Sequence, residues 1–306
     1  MTATPHPHLT HVATLVAHPD HPFIEDAHAA RVAALLPDVG APDWLAPGVA
    51  VDLHFAGEGI EPRGVAEAAR LAIAPAQIDV IVQPRAHRRK TLFLADMDST
   101  MIGQECIDEL AAEVGLRERV AAITERAMRG EIDFEPALRE RVGLLKGLPE
   151  AVVADVIARR VTLTGGGATL LKVMRRHGAY TALVSGGFTA FTGVIAQRLG
   201  FHEHRSNRLD VVDGRFAGTV AEPILGQQAK LDALRELRAR LNVDPRAVMA
   251  VGDGANDLAM IGEAGLGVAF HAKPAVAAAA AARIDWSDLT ALLYAQGYRA
   301  SDVGAA

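Results

Sequence analysis

Two carboxylates two residues apart, in Asp96-Met97-Asp98-Ser99-Thr100, are the groups in this chain best placed to do chemistry. They follow the apolar run Leu92-Phe93-Leu94-Ala95, which reads as a short buried strand. Like charges that close repel, so the pair calls for a cation between them or a proton on one of them. Ser99 and Thr100 are small and hydroxylated, which leaves room for a bulky anion beside the acids. Metal-assisted phosphoryl chemistry is the reaction class that uses all of these features.

Three further segments place polar groups at the ends of apolar runs. Val184-Ser185-Gly186-Gly187-Phe188 offers a hydroxyl and a glycine-rich backbone whose N–H groups can face phosphate oxygens. Lys230 stands at the expected start of a helix after Glu222-Pro223. Val251-Gly252-Asp253-Gly254-Ala255-Asn256-Asp257 adds two acids and an amide after another strand. Taken singly, an Asp-x-Asp pair or a Ser-Gly-Gly is commonly a turn, and a helix lysine is commonly a solvated charge. Their joint occurrence favours one shared site, because parallel strands gather such ends into a crevice. Competing motifs fail on spacing. A calcium loop opening at Asp96 needs glycine and glutamate where the chain has Met101 and Ile107. There is no Gly-Lys-Ser/Thr loop, and Gly252-Asp253-Gly254 lacks the third glycine of a dinucleotide fingerprint. Leu183 stands where a Gly-x-Ser-x-Gly elbow would begin.

Together the four segments resemble the four motifs of the haloacid dehalogenase superfamily, over roughly residues 90 to 295. More narrowly, they are similar to its branch that acts on phosphoserine in bacterial serine biosynthesis. Phe134-Glu135-x-x-Leu138-Arg139-x-Arg141-Val142-x-Leu144-Leu145 resembles the cap of that branch. One departure is Gly165-Gly166-Gly167, where relatives commonly carry a Pro-Gly pair; it should alter the cap hinge and not the chemistry. The resemblance implies that Asp96 is a nucleophile forming an aspartyl-phosphate and that Asp98 is the acid and base. It implies Mg2+ on Asp96, the main-chain carbonyl of Asp98 and Asp253. Ser185, Gly186, Lys230 and Asn256 would bind phosphate, with Asp257 and Asn256 orienting Lys230 or metal-bound water. Glu105 and Arg141 would take the ammonium and carboxylate of the small-molecule substrate, phosphoserine, since a planar guanidinium suits a carboxylate. Phe134 and Met128 would close the lid. Two competing readings stay open: a related phosphatase or phosphotransferase on another small phosphorylated metabolite, and an amino-acid sensor carrying a vestigial phosphatase unit.

The elements that must position these residues fall into two patterns. Residues 11–17, about 44, 49–55 and 78–82 read as strands, with helices at 25–36 and 65–71. That is the order of a small ferredoxin-like α+β domain over residues 1–85. Pro84 and the basic run Arg85, Arg88, Arg89 and Lys90 read as a linker. Beyond it, strands at 181–184, 248–251 and 266–270 alternate with helices at 170–176, 190–199, 230–241 and 258–264. The expected fold is α/β, a Rossmann-like doubly wound parallel sheet made by residues 91–104 and 164–306. Asp213-Gly214 signals a hairpin between strands at 208–212 and 215–220. Residues 105–163 show helical spacing only, and an insertion there would cap the strand ends. The alanine run at 275–282 reads as a tightly packed helix.

Composition narrows the classes further. The chain has 306 residues, half of them hydrophobic, and a formal net charge of -6, which argues against a general nucleic-acid binder. Its one cysteine, Cys106, excludes an intramolecular disulfide, fits a reducing compartment and reads as a packed cap residue. No run approaches the roughly 20 apolar residues of a membrane span, and the start lacks a secretory pattern, so a cytoplasmic protein is expected. Eight of the twelve histidines precede residue 90, including His6, His8, His11, His18 and His21. Without ligand spacing they read as solvated or loop residues rather than a zinc site. The first domain is expected to serve dimerisation or stability, which leaves a homodimer as one assembly open to the chain.

Overall fold

A computed structural model gives the fold, and it describes residues 8–128 and 131–304. His6 and the Met128 side chain lie outside the described residues. The first unit runs β1 (His11–Val16), α1 (Asp26–Ala33), β2 (Asp43–Ala46), β3 (Ala50–Phe55), α2 (Pro62–Ile73) and β4 (Asp79–Pro84). Its strands pair antiparallel in the order β2-β3-β1-β4. Helix α2 starts where Glu61 accepts the N–H groups of Arg63 and Gly64, with Pro62 in its first turn. Its buried stripe, Ala66, Ala69 and Ile73, packs with Leu15, Val51, Leu53 and Val80 of the sheet.

The second unit holds β5 (Leu92–Ala95), then α3 (Cys106–Glu113), α4 (Arg117–Met128), α5 (Phe134–Gly143) and α6 (Val152–Arg159). There follow α7 (Gly167–Arg176), β6 (Tyr180–Phe188), α8 (Thr189–Leu199), β7 (Glu203–Asn207), β8 (Leu209–Val212) and β9 (Arg215–Val220). The chain continues through α9 (Gln227–Arg240), β10 (Val248–Gly252), α10 (Leu258–Glu263), β11 (Leu266–Phe270) and α11 (Pro274–Ala279). It ends with β12 (Ala282–Ile284), α12 (Ala291–Ala295) and α13 (Ala300–Gly304). Six strands form a parallel sheet in the order β12-β11-β10-β5-β6-β7. Strands β10, β5 and β6 are therefore neighbours at its centre, and their carboxyl ends lie side by side. The alanine run does not stay helical: α11 stops at Ala279 and Ala282 opens the edge strand β12.

Helices α3 to α6 sit between two crossing segments that pair with each other. Gly103 N–H donates to Thr162 O and Thr164 N–H to Met101 O, both at 3.0 Å. The hairpin β8–β9 turns at Asp213 and Gly214, both with positive φ, as a two-residue hairpin loop requires. It leaves the main sheet and packs on the helical segment, where Phe216 exchanges backbone bonds with Gly147 and Leu148 at 2.8 and 2.9 Å.

The basic run after β4 is not a free linker. Arg88 bonds both oxygens of buried Asp52 at 2.6 and 2.7 Å, Thr14 Oγ1 at 2.9 Å, and the carbonyls of Tyr294 and Ala295 at 3.0 and 2.7 Å. Lys90 is buried against Arg246 O at 2.8 Å, and burial pulls its pKa down to about 8. Asp79, wholly buried in β4, accepts N–H bonds from Asp285, Trp286 and Ser287 at 2.7, 3.3 and 2.8 Å. Arg70 of α2 donates to Val80 O of β4 at 2.7 Å and to Arg283 O of β12 at 3.1 Å. The charges that look like a spacer in sequence are thus the bolts between the two units. Among the described residues, no helix is long and apolar enough to cross a membrane.

Candidate active site

Each motif residue is delivered by the strand before it. Asp96 follows β5, Ser185 and Gly186 lie in the irregular last part of β6, and Asp253 follows β10. Asp96 is almost fully buried. Its Oδ1 accepts the Met97 N–H and faces Lys230 Nζ, each at 2.7 Å. Lys230 comes from the first turn of α9, has no solvent exposure, and reaches Asp257 Oδ1 at 2.7 Å as well. Burial alone would lower its pKa, but Asp257 and Asp96 outweigh that and hold the ammonium above its usual range. The other oxygen of Asp257 accepts the Gly254 N–H at 3.1 Å. Gly252 is required here, since a Cβ on it would lie 2.3 Å from Asp257 Cγ.

Asp98 accepts the Cys106 N–H at 3.3 Å. Burial, then Glu105, pushes its carboxyl up to about 7. Gly187 lies against it so closely that a Cβ would stand 3.0 Å from Asp98 Oδ2. Asp253 takes a hydrogen bond from Thr100 Oγ1 at 3.2 Å, and burial followed by Asp257 raises it to about 6. Asp96 is raised too, by burial first and Asp257 second. Carboxylate oxygens of Asp96, Asp253 and Asp257 lie within 4.8 Å of one another. Asp96 and Asp257 share the buried ammonium of Lys230, and Lys273 acts on Asp253 from nearby, so the three acids offer an all-oxygen donor set. That chemistry suits a hard divalent cation. Asp98 is not in this carboxylate cluster.

One cavity of about 640 Å³ joins these groups to the helical segment. Asp96, Asp98, Asp253, Ser185, Gly186 and Asn256 line it from the strand ends, and Glu105 and Arg141 line it from the helical segment. Lys230 and Asp257 lie beneath its floor. Glu105 accepts from Ser99 Oγ at 2.8 Å. Arg141 is held by Ala137 O at 3.2 Å and Thr124 Oγ1 at 3.3 Å. Among the described residues, no carboxylate lies within ion-pair distance of it. Phe134 covers the glycine turn, where a Cβ on Gly186 would be 3.4 Å from its ring. The structure therefore gathers every site residue expected from the sequence, ten positions spread over 162 residues, from Asp96 to Asp257, around one space.

Asp108, Thr124, Gln227 and Lys273 also line the cavity, and sequence reasoning missed them. Lys273 had a signal, because it follows β11, the neighbour of β10. Thr124 had none beyond its helical spacing. Away from this cavity, Asp43, Asp52 and His54 also converge. Arg299 and Arg88 already bond those two acids, so that cluster carries its own counter-charges.

The general model of haloacid dehalogenase-like hydrolases matches residues 93–262, the stretch that contains the ten positions from Asp96 to Asp257. The chain belongs to the haloacid dehalogenase-like hydrolase family. This hydrolase is 38% identical over 297 residues to a phosphoserine phosphatase of Streptomyces coelicolor, covering 96% of this chain and 72% of that protein. It spans less of a second such relative, 64% of the phosphoserine phosphatase of Haemophilus influenzae. Among solved structures it is similar to a haloacid dehalogenase-family hydrolase from Salmonella enterica serovar Typhi. That match has a TM-score of 0.83 at 31% identity and covers 93% of this chain and 97% of the other. A phosphoserine phosphatase solved as a phospho-aspartyl intermediate analogue matches with a TM-score of 0.63 at 40% identity, over 67% of this chain and 98% of the other.

Proposed function

We propose that this hydrolase is a Mg2+-dependent phosphomonoesterase that converts O-phospho-L-serine to L-serine and phosphate, the last step of serine synthesis. The observation that carries the reading is the polarity of the cavity. Its strand-end side holds Asp96, Ser185 and the glycine segment, with Lys230 against Asp96, and suits a phosphoryl group, while its helical side holds the Glu105 and Asp108 carboxylates and the Arg141 guanidinium and suits an amino acid. The relatives described as phosphoserine phosphatases support it.

Asp96 attacks phosphorus through Oδ2, since Oδ1 is occupied by Met97 N–H and Lys230. The new Asp96–phosphorus bond forms as the bond to the serine oxygen breaks. Asp98, raised to about 7, carries the proton that the departing oxygen takes up. As a carboxylate it then removes a proton from the water that attacks the aspartyl-phosphate and restores Asp96. Lys230, Ser185 and the Gly186 backbone hold the other phosphate oxygens and their growing charge, with Asn256 beside them. Asp257 keeps Lys230 in place. Asp96, the Asp98 carbonyl and Asp253 would hold Mg2+, which when bound screens the repulsion between attacking carboxylate and phosphate. Glu105 meets the substrate ammonium and Arg141 its carboxylate.

A reducing, cytoplasmic setting goes with this reading, as the one thiol is buried and unpaired. A homodimer would have to use surfaces other than the face of the N-terminal sheet already packed on residues 285–299. The test is phosphate release from a panel of small phosphate esters, with and without Mg2+, for the protein and Asp96→Asn. Phosphoserine should be the preferred ester, and the variant should release none. Release that persists in a clean variant preparation would overturn the nucleophile, and a different preferred ester would overturn the substrate.

A further inference from the structure

The Ser185-Gly186-Gly187 turn is a break in the parallel sheet, and one buried side chain repairs it. Strands β6 and β7 pair as far as Val184 with Arg205 and resume at Phe188 with Asn207. Three residues of β6 thus stand opposite one of β7. A bulge of this kind strips the extra residues of their ladder partners, and a buried carbonyl left alone is costly. Asn207 is 2% exposed and supplies what the ladder lost. Its Nδ2 donates to Gly186 O at 2.8 Å and to Leu225 O at 3.1 Å, while Oδ1 accepts the Leu225 N–H at 2.7 Å. Two acceptors and one donor dictate the orientation of the amide and use both of its hydrogens.

Those partners matter because of where they lead. Gly186 lines the strand-end side of the cavity. Leu225 stands just before α9, whose first turn carries Lys230. Asn207 and Leu225 are also the two legs on which the β8–β9 hairpin leaves the core to pack on the helical cap. Asn207 itself does not line the cavity.

We propose that Asn207 is a positioning residue for phosphoryl transfer. Its amide ties the glycine turn to the root of the lysine helix and fixes the spacing of the phosphate cradle against load carried in through the hairpin. The role rests on the phosphomonoesterase reading, so the test includes probes that do not depend on phosphoserine.

Asn207→Asp keeps the shape but replaces two donated bonds with a carboxylate facing two carbonyls. Asn207→Ala opens the site to water and serves if the first variant does not fold. The measurements are kcat and KM for phosphoserine and p-nitrophenyl phosphate, inhibition by inorganic phosphate and by L-serine, and thermal melting. For folded variant, kcat on both esters should fall at least about 10-fold and inorganic phosphate should inhibit about 10-fold more weakly, the loss expected when hydrogen-bonded positioning is removed. L-serine inhibition should stay within about threefold, because Asn207 bonds Gly186 and Leu225 and neither Glu105 nor Arg141. Unchanged kcat and phosphate inhibition would overturn the role. Equal weakening of phosphate and L-serine would also overturn it, marking Asn207 as a general structural residue. If the parent protein hydrolyses only the aryl ester, the substrate proposal fails while the aryl-ester and phosphate measurements still decide on Asn207.

Discussion

Lys230 and Asp257 meet at 2.7 Å with both side chains wholly out of solvent. The pair is shared with Asp96 on the other side of the ammonium, so removing the cation strands two buried carboxylates. Breaking a buried pair costs about 3–5 kcal/mol. Lys230→Met should lose that much in urea unfolding measured in a chelator, together with nearly all phosphate release. Adding Asp257→Leu should recover part of the stability and none of the activity. A single variant within about 1 kcal/mol of the parent would show that the acids take up protons at little expense.

Among the described residues, Arg141 hydrogen-bonds only neutral acceptors, Ala137 O and Thr124 Oγ1, although Asp108 and Glu105 act on it from nearby. A substrate carboxylate would be its first charge-assisted hydrogen-bond partner. Arg141→Ala should cut kcat/KM for phosphoserine by about 100-fold, the size of a charge-assisted hydrogen bond, and that for an aryl phosphate by under about threefold. Arg141→Lys should restore little, because an ammonium cannot grip a carboxylate in a fork. Equal losses on both esters would make Arg141 a structural residue.

Asp79 predicts a pH effect far from the cavity. Burial raises its pKa from 3.8 to about 6, opposed by the N–H groups of Asp285 and Ser287. The folded form therefore binds the proton more tightly than the unfolded chain. Its contribution to stability is fully present below about pH 4 and is lost as pH rises through about 6, on the order of 3 kcal/mol in all. Urea unfolding of the parent and Asp79→Asn across pH 4 to 7 should show the parent losing ground to the variant over that window. Parallel curves would mean that Asp79 ionises without penalty.

The sequence is legible where an apolar run ends in a polar cluster. Leu92–Ala95, 181–184 and 248–251 announce their strands, and the acids and serine that follow them fall into one site. Asp213-Gly214 announces its turn because both positions need left-handed backbone. Strand β7 is silent, since Glu-His-Arg-Ser-Asn at a sheet edge has no apolar face to betray it. With β7 unseen, Asn207 could not be read as a partner of Gly186, 21 residues away. Strand β12 hides behind alanines that favour helix, and its three residues are too few to show a period. Arg88 reads as a spacer charge because its partner, Asp52, lies 36 residues back on another strand.

Arg70 bonds a carbonyl on each of two strands, Val80 of β4 and Arg283 of β12, and each strand is the outermost of its sheet. Unprotected margins of this kind recruit foreign chains. Here each half of the molecule serves as the other's guard. Cutting the protein at residue 85 would bare both margins at once, along with the three N–H groups that Asp79 satisfies. Either fragment would be sticky, and a reagent made that way would report on aggregation before it reported on catalysis.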